Sequence, residues 1–96
     1  MNAMTNRTLR AAALNAEYIV TVDGVGTTAR TGSVATAAVL VEAMGMEGVN
    51  PVMEMQSTLE NVYAYAVDAG VIAPGDTITL ELKKQDGGYT ITVPTK

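Results

Sequence analysis

Glycine, threonine, arginine and serine crowd the segment Asp23-Gly24-Val25-Gly26-Thr27-Thr28-Ala29-Arg30-Thr31-Gly32-Ser33, where residue types converge on a recognisable chemistry. Glycines let a backbone approach a ligand closely, hydroxyls donate hydrogen bonds, and a guanidinium offers a forked cation ahead of a helix N-terminus. Those are the parts of an anion cradle, with Gly26, Thr27, Thr28, Arg30 and Ser33 as the residues that would hold a small anion or phosphate. Neither the Walker A spacing nor a complete G-x-G-x-x-G occurs, however. Every residue except Arg30 also suits a Gly-rich hairpin running into a helix cap.

Carboxylates are the other source of chemistry, but Glu42, Glu47, Glu54, Glu60, Asp68, Asp76, Glu81 and Asp86 are spread singly along the chain. Glu54 and Glu60 could approach one another, yet acid–base work by paired carboxylates needs a cleft between them. No calcium-loop pattern of alternating acidic residues is present. Cysteine and histidine are both absent, which removes disulfides, thiolate nucleophiles, imidazole bases and the usual zinc ligands together. No metal, no cofactor and no catalytic residue is expected, and the chain reads as a non-enzyme.

A third group is apolar. Met44, Met46, Met53 and Met55 gather near a stretch, residues 34–44, in which only Thr36 and Glu42 are polar. Methionine fills cores more often than it binds, but flexible thioethers also make adaptable contact surfaces. Val34, Ala37, Leu40, Val41, Met44, Met46, Met53 and Met55 are therefore the candidate interface residues, and the surplus of apolar surface points to contact with another copy or another protein.

Composition sets the limits within which these groups act. With 96 residues the chain is read as one domain, residues 1–96, with a single core. Charged residues make up 17% against a usual value of roughly 25%. The net charge of −4 opposes attraction to nucleic acid or anionic lipid. No apolar run approaches the length of a spanning helix or a secretory signal, so a soluble, cytoplasmic protein is expected.

Local signals then place the elements. Thr5 or Asn6 can cap a helix reaching about Asn15. The β-branched run at residues 18–22 leads into Asp23-Gly24, a type I′ turn signal, with a return strand over residues 25–30. Ser33 is the expected N-cap of a second helix that stops at Gly45; its nearly all-round apolar surface implies cover on several sides, or a segment that is partly strand. After Asn50-Pro51, residues 52–55 read as a short strand. Ser57-Thr58-Leu59-Glu60 reads as a capping box opening a third helix, with Leu59, Val62, Tyr63, Ala66 and Val67 as its stripe and Gly70 as its terminator. Ala73-Pro74-Gly75-Asp76 is a tight turn. Ile78, Leu80 and Leu82 alternate after it, as do Tyr89, Ile91 and Val93 beyond Asp86-Gly87, predicting a C-terminal antiparallel hairpin whose Lys83 and Lys84 guard an edge. Together these predict a small two-layer α/β domain, α+β remaining open, with about three helices on a mixed sheet of four to five strands.

The runs Gly48-Val49-Asn50-Pro51-Val52, Ser57-Thr58 and Ala66-Val67-Asp68-Ala69-Gly70-Val71-Ile72-Ala73-Pro74-Gly75-Asp76-Thr77-Ile78-Thr79-Leu80, with Tyr18 to Val22 and Gly26-Thr27-Thr28-Ala29-Arg30 upstream, resemble the carboxy-terminal domain of pyruvate kinases over roughly half the chain. That resemblance implies a regulatory, non-catalytic module engaged in subunit contacts and effector-phosphate binding, with Thr27, Thr28 and Arg30 at the phosphate. The reading of the residues alone is a non-enzymatic assembly or interaction module, homo-oligomeric or part of a larger complex, with a small-anion-binding regulatory domain as the alternative.

Overall fold

Asp23 and Gly24 both take positive φ, 52° and 71°, the pair of left-handed conformations that folds two strands back on each other with the native twist. They join β1 (Glu17–Val22) to β2 (Val25–Thr31) in a computed structural model that describes residues 3–94. The remaining elements are α1 (Ala3–Asn15), α2 (Ser33–Met44), α3 (Pro51–Asp68), β3 (Ile78–Gln85) and β4 (Gly88–Thr92). The four strands lie in the order β2-β1-β3-β4. The outer pairs are antiparallel and β1 runs parallel to β3, so the sheet is mixed.

Tyr18 stands beside Ile78, Val20 beside Leu80 and Val22 beside Leu82. Since alternate residues of a strand share a face, these form one apolar surface. Leu9 and Ala13 of α1, Ala37 and Leu40 of α2, and Met55, Leu59, Tyr63 and Ala66 of α3 are buried with Tyr18, Val20, Ile78, Leu80 and Leu82 in one cluster. All three helices thus cover the same side of the sheet, giving a two-layer α/β domain. No described helix is long and apolar enough to cross a membrane.

Several expectations need correction. Residues 52–55 are not a strand: Pro51 occupies the first turn of α3, where its fixed φ suits a helix and its missing N–H is not needed. The helical stripe then extends backwards through Met55, buried like Leu59. Ser57 is consequently an exposed mid-helix residue, and Glu60 serves no cap. The backbone at Thr5 and Asn6 is already helical, inside α1 rather than at its start. At the head of α2 the N-cap is Gly32, not Ser33. Its φ of 97° favours glycine there, while a Cβ would meet the Leu14 carbonyl only at an ordinary contact distance of 3.5 Å.

α2 is helical throughout, with Ser33, Thr36, Ala37 and Leu40 buried as one stripe. Val41 and Met44 are half-buried against the core, while other apolar residues face outward rather than being covered on several sides. Val34, Ala35, Ala38 and Ala43 are exposed. The ends are as expected. Gly45 is left-handed, with Met46 N–H bonded to the Val41 carbonyl at 3.1 Å. Gly70, φ 78°, ends α3 in the same way, with Val71 N–H on the Ala66 carbonyl at 2.9 Å. Both are Schellman closures, satisfying carbonyls that the helix leaves open.

Candidate interaction surfaces

The residues of the expected anion cradle are distributed along an edge strand. Gly26 through Arg30 belong to β2, and at about 3.3 Å per strand residue Gly26 and Ser33 end up roughly 20 Å apart. The side chains of Thr27 and Thr28 lie outside the described residues. Arg30 is exposed and its Nη1 donates to the Ala29 carbonyl at 3.0 Å. Gly32 N–H is used by the Ala16 carbonyl at 2.8 Å. Ser33 is fully buried, and its hydroxyl donates to Glu60 Oε2 at 2.6 Å. These positions do not converge on one point.

The Ser33 and Glu60 contact is the main polar tie between α2 and α3. Gln56 Nε2 donates to the same Oε2 at 3.0 Å, one helical turn away. A hydroxyl held by a carboxylate could be an activated nucleophile, but Ser33 has 0% exposure and no substrate can reach it. Glu60 also lines a half-open cleft of about 450 Å³ between α1 and α3, with Leu9, Arg10, Ala13, Ser57, Asn61 and Ala64. Ala13, one of the lining residues, accepts a hydrogen bond at its carbonyl from the buried hydroxyl of Tyr18 near the end of α1. Burial first, then the Glu60 charge and the neighbouring Tyr63, push the Tyr18 phenol well above its ordinary range. The two tyrosine rings are tilted with centroids 6.1 Å apart. Tyr63 reaches past Tyr18 to the turn before β3, accepting from Gly75 N–H at 2.8 Å and donating to the Asp76 carbonyl at 3.2 Å.

Of the candidate interface residues, Ala37, Leu40 and Met55 belong to the chain's own core. Val41, Met44 and Met46 are half-buried against it, while Val34 is 50% and Met53 64% exposed. Val49, in the connection between α2 and α3, is 90% exposed. Met44 and Met46 also line an open groove of about 480 Å³ with Glu47, Lys84, Gln85 and Tyr89. The junction of α2 and α3 therefore carries an outward apolar surface, made by fewer residues than the sequence suggests.

Sequence reasoning missed the central place of Glu60 and Tyr18. The local S-x-x-E pattern gave Glu60 a different role, and its partner Ser33 lies 27 positions away. Tyr18 and Tyr63 could have been noticed as half of the four aromatic side chains in the chain. Among the described residues, no group of three or more acidic residues is placed to hold a metal ion. Comparison with protein-family models, with curated proteins and with solved structures found no match to this chain.

Proposed function

We propose that this chain is a non-enzymatic assembly module, acting as a homo-oligomer or as a subunit of a larger complex. The observation that carries the reading is the apolar surface at the junction of α2 and α3. Val49 and Met53 stand largely in solvent, a few positions along the chain from the half-buried Met44 and Met46. Large apolar side chains that a chain leaves grouped and uncovered mark contact sites more often than idle surface, and thioethers adapt to a partner's shape. The low charge content works in the same direction, since fewer charges must be stripped of water when surfaces meet. The alternative of small-anion binding keeps Arg30 as its one exposed cation on the segment, without convergent partners among the described residues.

Light scattering across a concentration series tests the reading. Self-association is expected, and Val49→Ser with Met53→Ser should weaken it while leaving the melting temperature within about 3 °C, as for exposed sites outside the core. A chain that stays monomeric at every concentration would sink the homo-oligomer form of the proposal.

A further inference from the structure

Among the described residues, the outer edge of β2 is the longer of the two outer sheet edges, with Arg30 its one charged side chain and a bulge confined to its start, at Gly26. β2 has seven residues, Val25–Thr31, without proline, lysine or an acidic side chain. The opposite edge, β4, has five residues and is followed by Val93-Pro94. Edge strands are ordinarily blunted by shortness, proline, charged side chains or bulges; β4 is short and followed by proline, whereas β2 past its bulge, over residues 27–31, has Arg30 alone.

The phase of the hydrogen bonds fixes what β2 offers. Gly32 N–H donates to the Ala16 carbonyl, and this pair continues the register in which Tyr18 faces Arg30 and Val20 faces Thr28. In an antiparallel ladder bonded pairs alternate with unbonded ones. Arg30 and Thr28 therefore turn their backbone groups towards β1, while those of Thr27, Ala29 and Thr31 point away from the sheet. Among the described residues, the hydrogen bond on that outward edge is the one from Arg30 Nη1 to the Ala29 carbonyl. A carbonyl has a second lone pair.

We infer that a second copy of this chain docks on β2, strand to strand and antiparallel, with the two-fold axis at Ala29. In that register Ala29 meets Ala29 and Thr31 meets residue 27 of the second copy, and the outward groups form about six backbone hydrogen bonds. The strand is its own complement, which is why a second copy is the occupant. Isologous two-fold pairing needs a patch that matches itself, and an alternating ladder centred on Ala29 does. Ala29 is small and exposed on the sheet face away from the helices, so on that face the axis carries only two methyl groups. Arg30 comes opposite Thr28, so no like charges face each other directly. The product is a continuous eight-stranded sheet, twice the four strands of one chain, with both helical layers on the same side. The inference rests on the assembly reading but uses a different surface, leaving the junction of α2 and α3 outside the pairing.

Sedimentation and light scattering of the full chain, its Ala29→Pro and Ala29→Lys variants, and an Ala29→Cys variant under oxidation test this. The wild type should dimerise. Ala29→Pro removes an outward N–H that β1 does not use, and Ala29→Lys brings two ammonium groups together on the axis. Each should raise the dissociation constant by about tenfold or more. Because the chain has no cysteine of its own, Ala29→Cys can close a disulfide only between copies, and a Cα separation of about 5.5 Å in a bonded pair permits it. Should Ala29→Pro lose its circular dichroism signature, the lysine and cysteine variants decide. A wild-type monomer overturns the pairing and the homo-oligomer reading together. A dimer that both substitutions leave intact and that the cysteine does not cross-link overturns the pairing alone.

Discussion

Removing the single oxygen of Tyr18 should cost stability at neutral pH and cost progressively less as the pH rises above about 10. The side chain has 0% exposure, and its hydroxyl donates to the Ala13 carbonyl, which lies beyond the last bond closed between Ala16 N–H and Ala12 at the end of α1. Tyr18→Phe keeps the ring against Tyr63 and deletes only that bond. Near pH 7 the loss leaves a carbonyl without its partner, costing about 1–2 kcal/mol, and each kcal/mol lowers the melting temperature of a domain this size by about 4–8 °C. The pH dependence follows from the direction of the shift. Burial, Glu60 and Tyr63 raise the folded phenol's pKa above its ordinary value. Below about pH 10 both folded and unfolded chains hold the proton, and the group contributes no slope. As the pH rises further, the unfolded chain releases the proton and the folded one retains it, so wild-type stability falls by about 1.4 kcal/mol for each pH unit. The variant has no such proton to lose at this position. Urea unfolding of both proteins from about pH 8 to pH 11 should therefore show the wild-type advantage shrinking to nothing near pH 11. Parallel curves, with the advantage unchanged over that range, would refute the argument that the buried phenol stays protonated.

Ser33→Ala should destabilise by about 1–3 kcal/mol in chemical unfolding, because a fully buried hydroxyl held at 2.6 Å by a carboxylate is lost. In a double-mutant cycle with Glu60→Gln most of that cost should appear as coupling, and additive effects would contradict the contact. Gly70→Ala meets no atom within 4 Å but must hold φ at 78°. A loss of about 1 kcal/mol in thermal unfolding is expected, and no change would mean that the Schellman closure of α3 relaxes without cost.

Where local chemistry decides a conformation, the sequence was readable. Asp23-Gly24 bends because those residues tolerate positive φ, Gly45 and Gly70 end helices for the same reason, and Ile78, Leu80 and Leu82 alternate because one face of β3 is buried. Where two local signals competed, the wrong one was more conspicuous. Ser57 to Glu60 carried a capping pattern, but Pro51 had already opened the helix, and a continuous stripe through Met55 outweighs one cap. The candidate surface was half legible for a related reason. Composition shows that residues 34–55 are too apolar, but not which face of α2 turns inward, so Ala37, Leu40 and Met55 were grouped with residues that stay outside. The cradle residues Gly26 to Ser33 are spread out instead of gathered at one point, since a strand spaces its residues widely.

The parallel pair in the middle of the sheet governs how the chain must reach this structure. β1 joins β2 through a two-residue turn, α2 and α3 are neighbours in sequence, and β3 joins β4 as closely. Each of those units brings together residues near one another along the chain and can form early. The register between β1 and β3, by contrast, matches Tyr18 with Ile78, and it is clamped at both ends by contacts of similarly long span. Thr77 Oγ1 donates to Glu17 at 3.2 Å at one end, and Lys84 N–H donates to Asp23 Oδ1 at 2.8 Å at the other. Closing so long a loop is entropically costly before any contact rewards it. Docking of the C-terminal hairpin onto β1 is then the slow step, and until it occurs β1 has an open edge on that side. A chain still emerging during synthesis would carry that edge uncovered until β3 was made.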